Sequence, residues 1–251
     1  MPATPAWPPK SAPRLFVAEP LAAGAAVRIE GNPAHYLARV MRAAPGDVVV
    51  LCDDVTGEWA ARISDLGKRD VVLEVAEMLR PREAVPDLWL CPALLKKDRF
   101  DWVLEKATEL GAARIQPLVT RRCVADKLNL ERARAITTEA AEQCARTALP
   151  ALDDPLKLDA LLADWPEGRA LFFADENAKE QGREPAAAAF AGHTGPAAIL
   201  TGPEGGFDDA ERAAIRAHPA ARPVSLGPRI LRGETAAIAA LAVWMAAAGD
   251  W

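Results

Sequence analysis

From Asp87 onward the chain alternates short apolar runs with helical stretches, and this alternation constrains the fold more than any other feature. Strand-like runs stand at Leu88-Trp-Leu-Cys91, Arg114-Ile-Gln-Pro-Leu-Val119, Ala170-Leu-Phe-Phe173 and Ala197-Ala-Ile-Leu200. Between the first two, Phe100, Val103, Leu104, Ala107 and Leu110 recur at helical spacing, and Gly111 supplies a stop. Such alternation predicts a mainly parallel sheet covered by helices on both faces. Asp208 and Glu211 have the spacing of a capping box, with Asp in place of the usual Ser or Thr. The alanine-rich stretch Ala236 to Ala248 is about two-thirds of the ~20 residues a membrane span needs, and is predicted to be a buried helix.

Upstream the period shortens. Arg14-Leu-Phe-Val17, Asp47-Val-Val-Val-Leu-Cys-Asp53, Glu58-Trp-Ala-Ala-Arg-Ile-Ser64 and Asp70-Val-Val-Leu-Glu-Val-Ala76 are separated by turn residues and predict a small β-barrel over residues 14–79. His35, Leu37, Val40 and Met41 place one short helix inside it, before Pro45-Gly-Asp47 turns the chain. Arg80-Pro-Arg-Glu-Ala-Val-Pro86 is read as a linker to a second domain spanning 87–251. Residues 1–13 are proline-rich, lack the apolar stretch of a signal peptide, and are read as a disordered tail.

Half of the 251 residues are hydrophobic, enough for a proper core, while the net charge of -5 argues against binding nucleic acid by bulk electrostatics. Any RNA contact must be local. The four cysteines (Cys52, Cys91, Cys123, Cys144) form no C-x-x-C pair, and the three histidines lie far apart, so the usual zinc spacings are absent and no metal is expected. Reduced, buried thiols in a cytoplasmic protein are the expectation.

Two glycine-rich turns carry the chemistry. Ile199-Leu-Thr-Gly-Pro-Glu-Gly-Gly-Phe207 and Ser225-Leu-Gly-Pro-Arg-Ile-Leu-Arg-Gly-Glu-Thr-Ala236 each follow a short apolar run and precede a helix start. Neither fits a nucleotide loop of the G-x-G-x-x-G or G-x-x-x-x-G-K-[ST] kind, and Pro203 removes a backbone N–H that a phosphate cradle would use. On spacing alone, the first turn suits a strand-to-helix connection as well as it suits a ligand. The charges of the second suit a solvated pair at a helix start better than a site. Glu139, Gln143 and Arg146 share a helix face, while Lys96-Lys-Asp-Arg99 and Arg121-Arg122 are local basic patches. A solvated face is the commoner reading of the first, and chance clustering rivals RNA binding for the two short patches.

Taken in order, these segments resemble the bacterial 16S ribosomal RNA (uracil-N3)-methyltransferase family of the SPOUT superfamily. The likeness runs from Arg14-Leu-Phe-Val17 through His35-Tyr-Leu-Ala-Arg-Val-Met-Arg42, Pro45-Gly-Asp47, Glu105-Lys-Ala-Thr-Glu-Leu-Gly111 and Glu139-Ala-Ala-Glu-Gln-Cys-Ala-Arg146 to both glycine turns. It implies a PUA-like RNA-binding barrel followed by an α/β SPOUT domain with a C-terminal trefoil knot, acting as a homodimer. The implied reaction is S-adenosylmethionine-dependent methylation of uracil N3 in 16S rRNA of the small ribosomal subunit. By the same likeness Leu200, Gly202, Glu204 and Gly205, with Leu226, Gly227, Ile230 and Leu231, would line the cofactor. Glu234 would take the N3 proton, with Arg232 and Arg146 holding the uracil anion or a phosphate. Arg14, Arg39, Arg42, Lys96, Lys97 and Arg99 are expected to contact RNA. Thr120-Arg-Arg-Cys123 and Cys144 depart from the family pattern. The rival readings are a non-catalytic RNA-binding or ribosome assembly factor of the same fold, and a SPOUT methyltransferase for a different RNA.

Overall fold

The computed structural model describes residues 7–9, 11–175 and 184–251, so much of the expected disordered tail lies outside the described residues. The chain divides into two compact units. The N-terminal unit runs to Ala84 and takes in Ala141–Ala148; the C-terminal unit holds Val85–Ala140 and Leu149–Trp251.

The N-terminal unit is a curled sheet of β1 (Arg14–Phe16), β2 (Ala26–Glu30), β3 (Val48–Cys52), β4 (Gly57–Leu66) and β5 (Asp70–Pro81) in the order β1-β3-β4-β5-β2. β1 runs parallel to β3, and the other pairs are antiparallel. Register shifts between β4 and β5 mark bulges, which bend a strand and tighten its twist. The curl encloses Leu37, Val49, Leu51, Ile63, Val71 and Leu73. β2 escapes the sequence pattern because only Ile29 of its five residues is buried. The expected helix appears as α1 (Gly31–His35) continued by one π-helical turn over Tyr36–Val40, with Leu37 turned into the core. At Gly57 (φ +124) a Cβ would lie 2.3 Å from the Arg80 carbonyl oxygen, so β4 enters its bulge only with glycine there.

The segment read as a linker is built in. β5 continues through Pro81, and the Glu83 carboxylate accepts the Thr147 and Ala148 N–H groups at 2.9 and 3.2 Å. The non-local partner is the reason: prolines mark a break in pattern, but hydrogen bonds to residues sixty positions away leave no local trace. Within the tail, the Trp7 indole donates to Glu77 and the Arg62 guanidinium lies 4.4 Å from the Trp7 ring, so this part packs on the sheet.

Burial raises the pKa of the Asp53 carboxyl, but hydrogen bonds from the Thr56 hydroxyl and from the Leu21, Val55 and Gly57 N–H groups outweigh it and hold the pKa down to about 2. The folded value lies below the unfolded one. Its stabilisation is therefore complete above about pH 4 and fades as pH falls through about 2. Asp53→Asn is expected to flatten the acid-unfolding profile of this unit across that window; an unchanged profile in a denaturant series at stepped pH would count against it.

The C-terminal unit carries a six-stranded sheet, every described pair parallel, in the order β13-β11-β12-β6-β7-β9. These strands are β6 (Leu88–Pro92), β7 (Arg114–Ile115), β9 (Ala151–Leu152), β11 (Ala170–Ala174), β12 (Ala197–Thr201) and β13 (Ala221–Val224). Pro117 ends β7, and the chain resumes as β8 (Leu118–Val119), which pairs with β10 (Leu156–Lys157). β13 is an edge strand with one fully buried residue and a proline, which is why its sequence carries no strand signal.

Alternate residues serve the two faces. Phe172, Ala197 and Ile199 pack under α2 (Lys97–Glu109), α5 (Ala186–Phe190) and α7 (Gly233–Ala248). Leu171, Phe173, Ala198 and Leu200 pack with α4 (Leu158–Ala163) and α6 (Asp209–Ala217). The layered α/β expectation holds. α3 (Leu130–Cys144) leads into the segment that joins the N-terminal unit. The capping box at α6 forms both bonds: Glu211 N–H to Asp208 Oδ1 at 2.7 Å, and Asp208 N–H to Glu211 Oε2 at 3.0 Å.

All four cysteines are free thiols, but only Cys52 and Cys91 are buried, and burial pushes each of those two up to about 12; Cys123 is half-buried and Cys144 exposed, against the expectation. Among the described residues no helix is long and apolar enough to cross a membrane.

Candidate active site

β11, β12 and β13 end side by side, and the loops leaving their carboxyl ends enclose a cleft of about 740 Å³, part of it open to solvent. Ligands of parallel α/β sheets bind at this edge, because loops diverge there to both faces. Gly202, Pro203, Glu204, Gly206 and Phe207 of the first turn face Leu226, Gly227, Arg229, Ile230 and Leu231 of the second. The turns that are twenty residues apart in sequence therefore form one wall.

Glycine is needed where they touch. A Cβ on Gly202 would meet the Phe207 ring at 3.0 Å, and one on Gly233 would meet Leu95 Cδ2 at 2.7 Å and the Gly202 carbonyl oxygen at 3.3 Å. Gly206 closes the first turn at φ +65, donating its N–H to the Pro203 carbonyl at 2.9 Å. Gly233→Ala is expected to cost about 1 to 3 kcal/mol of overpacking and to weaken ligand binding in the cleft by prising the turns apart; calorimetry showing wild-type affinity would sink this.

The basic pair Arg121-Arg122 holds the first turn. Arg122 Nη1 donates to the Gly205 and Phe207 carbonyls at 3.0 and 3.4 Å; Arg121 donates its N–H to Glu211 at 2.7 Å and its Nη1 to Asp208 at 2.9 Å. The Lys96 N–H donates to Glu204 at 3.3 Å, bringing the start of α2 to the mouth of the cleft.

Of the eight residues expected to line a cofactor, six lie on the cleft wall, and Leu200 and Gly205 do not. Leu200 is fully buried in the layer with Phe173 and Phe207, because its β12 register turns it into the sheet; it supports the cleft from behind. Gly205 faces Arg122, where its Cβ would lie 3.2 Å from the Arg122 Cβ.

Glu234 occupies the first turn of α7 and is 7% exposed. Its Oε1 accepts from Arg99 Nη1 at 2.6 Å, and its buried Oε2 has no hydrogen-bond partner among the described residues. Arg99, grouped with the RNA-contacting cations, is thus held by a carboxylate within the unit. Arg232 is the solvent-exposed N-cap residue of α7. Arg146 is buried in the N-terminal unit, its Nε 3.6 Å from the Glu83 carboxylate; burial lowers its pKa and that carboxylate works against the shift. Arg14 is likewise engaged, paired with Glu58 and donating to the Glu142 carbonyl at 3.4 Å. Arg39, Arg42, Lys96 and Lys97 are exposed.

The structure adds Asp175 and Arg212 to the cleft wall. Asp175 follows β11, and its fully buried carboxylate accepts from Arg216 Nε at 3.1 Å with Arg212 Nε 3.4 Å away. Arg212 Nη2 in turn donates to the Phe207 carbonyl at 3.3 Å, tying α6 to the first turn. The available signal was an acid directly after an apolar strand run, with two arginines four residues apart on the following capped helix.

Two regions of the chain match domain families of RNA-modifying enzymes: residues 81–245 match the RNA methyltransferase domain, and residues 29–76 the RNA methyltransferase PUA domain. Ribosomal RNA small subunit methyltransferase E of Rickettsia conorii is 30% identical over 91% of this chain and 93% of its own length, and that of Synechocystis sp. is 35% identical over 91% of this chain and 76% of its own. Among solved structures, a ribosomal RNA small subunit methyltransferase E from Neisseria gonorrhoeae bound to S-adenosyl methionine superposes with a TM-score of 0.86 at 28% identity, covering 95% of this chain and 99% of that one. Fold and cleft are therefore those of a PUA-linked RNA methyltransferase of the SPOUT type. The chain belongs to the ribosomal RNA small subunit methyltransferase E family.

Proposed function

We propose that this chain methylates uracil N3 in 16S rRNA of the small ribosomal subunit, using S-adenosylmethionine. The observation that carries the reading is the junction of the two glycine turns, which makes one backbone-rich cleft at the strand carboxyl ends in a chain of this family. The donor set suits that cofactor. Leu226, Ile230 and Leu231 offer apolar surface to an adenosine, and the Glu204 carboxylate at the mouth offers a partner to an ammonium. Pro203 withholds an N–H that a phosphate would need. When bound, the cofactor supplies an electrophilic methyl group on a sulfonium.

The protein must take the base out of its stack, hold N3 in line with that methyl group, and accept the N3 proton. Glu234 is the base in this reading, although neither it nor Arg232 is on the cleft wall: Arg99 fixes one carboxylate oxygen, and the other, buried and without a hydrogen-bond partner among the described residues, must be uncovered before it accepts the proton. Arg232, exposed beside it at the helix start, holds the developing uracil anion. Arg146, paired with Glu83, is not among the residues that line the cleft and carries no step in this reading. The chain acts in the cytoplasm as a homodimer. Ile230 and Trp102, 80% and 62% exposed, are apolar side chains that a second copy would cover. Sedimentation giving a monomer mass at micromolar concentration would remove the dimer from the reading.

The test is incubation with methyl-labelled S-adenosylmethionine and small ribosomal subunits lacking the modification. Label at uracil N3 of 16S rRNA is the expected result. Label elsewhere overturns the position, and no transfer overturns the enzyme reading in favour of a binding or assembly role.

A further inference from the structure

The helical turn of the N-terminal unit carries an exposed surface that the cleft does not use. Over Tyr36–Val40 the backbone widens to a π turn, and the Met41 N–H reaches back to the Tyr36 carbonyl at 3.0 Å. In a turn of that pitch residues about four to five apart lie on one side, so Tyr36, Val40 and Met41 share a face. They are 39%, 63% and 40% exposed, while Leu37 is fully buried and anchors the turn. Isolated apolar side chains on a surface are ordinary, but three on one face form a patch.

Arg42 ends the turn at φ +52, a left-handed conformation that strains a residue with a Cβ and that glycine adopts freely. The Ala43 N–H then closes on the Leu37 carbonyl at 3.0 Å. An arginine at a position that glycine fits better points to a use for its guanidinium. From Gly31 to Gly46 the chain has no acidic residue, and Asp47, which follows, turns its carboxylate onto the Ala44 N–H at 2.8 Å. Arg39 and Arg42 are both exposed and have no hydrogen bond or ion pair among the described residues. Arg14, Arg28, Arg80 and Arg82 of the same unit are each held by a carboxylate. The turn thus joins unpaired cations to exposed apolar surface.

An aromatic ring beside two unpaired guanidinium groups matches a single-stranded nucleic acid, because every base has a face to stack and the phosphates on either side take the arginines. A duplex keeps its bases stacked on one another and offers Tyr36 no such face. We propose that Tyr36 stacks on an unpaired base of the RNA substrate, with Val40 and Met41 extending the apolar surface and Arg39 and Arg42 gripping the flanking phosphates. The proposal rests on the methyl-transfer reading and deepens it: the N-terminal unit selects a single strand through an aromatic contact as well as adding positive charge. On a chain of net charge -5, such a contact supplies affinity that salt does not screen.

The experiment uses the full chain, with a short fluorescein-labelled oligouridylate as the single-stranded probe and an RNA duplex of equal length as the control. Affinity is read across a salt series for wild type, Tyr36→Ala, Tyr36→Phe, Arg39→Ala and Arg42→Gly. Tyr36→Ala is expected to weaken the single strand about tenfold, within the range of base–aromatic stacking, with an unchanged salt slope. Tyr36→Phe is expected to bind as wild type does, since the ring and not the hydroxyl stacks. Arg39→Ala and Arg42→Gly are each expected to reduce the steepness of log K against log salt by about 0.7, one phosphate apiece. Glycine suits φ +52, so Arg42→Gly is expected to keep the wild-type unfolding midpoint while its affinity falls. Wild-type affinity in Tyr36→Ala, weak binding in Tyr36→Phe, or equal weakening of the duplex overturns the stacking contact. A changed association state in Tyr36→Ala assigns the patch to a protein contact and overturns it too. If wild type transfers no methyl group to unmodified small subunits, the proposed function fails, while the oligouridylate titrations still decide the patch.

Discussion

Asp175→Ala is expected to lower the stability of the C-terminal unit by about 3 to 5 kcal/mol and to abolish tight binding in the cleft. The Asp175 carboxylate is fully buried and meets two arginines, of which Arg212 is itself buried. Removing the acid deprives that buried guanidinium of a buried counter-charge, for which the exposed Asp209, 3.7 Å from it, is a weak substitute. The loss is transmitted to the site because Arg212 holds the Phe207 carbonyl, and Phe207 packs on Gly202 and, at 5.3 Å between ring centroids, edge-on against Phe173. Asp175→Asn keeps the shape and loses the charge, so it is expected to fall between wild type and the alanine variant. Denaturant unfolding followed with cofactor calorimetry decides it: a wild-type midpoint in Asp175→Ala would show that the buried cluster contributes nothing.

Glu234→Gln is expected to cut methyl transfer by roughly a hundredfold to ten-thousandfold, the range over which general bases act, with little change in unfolding midpoint or cofactor affinity. Glutamine fills the same volume and still offers an oxygen to Arg99, which is half-buried and tolerates loss of the opposite charge better than a buried arginine would. It cannot accept the N3 proton. Wild-type turnover in this variant would assign Glu234 to structure alone, as the partner that joins α2 to α7. A loss of turnover accompanied by a lower midpoint would indicate the same, and Glu234→Asp, which keeps the charge and withdraws it by one methylene, then separates chemistry from packing.

The layer structure was legible because burial imposes periodicity. In the C-terminal unit the apolar runs are strands with both faces covered, and the Phe100 to Ala107 stripe lies on the buried side of α2. The glycine turns were legible as turns, and on the resemblance as two sides of one cofactor site, but the contact between particular glycines was not. Nothing local shows that Gly233 must lie against Gly202, since contact between residues thirty apart is set by how β12 and α7 pack. The same limit applies to Leu200. The resemblance puts Leu200 at the cofactor, but a strand turns successive side chains to opposite faces, and the Leu200 side chain falls toward the core, leaving only its backbone near the first turn.

Charges were the least legible feature. Arg14, Arg99, Arg121 and Arg122 all read as cations available to RNA, and each is engaged by a carboxylate or a carbonyl within its own unit. Lys97 and Lys127 look no different in sequence and have no ion pair among the described residues. By itself the sequence determined the two-part architecture, the parallel sheet and the family, because periodicity, turn chemistry and ordered motifs are properties of the chain read along its length. Only the tertiary structure decided which glycines touch, which acid neutralises Arg212 and which cations are left for a ligand, because pairing and desolvation depend on distances in space between residues far apart in sequence.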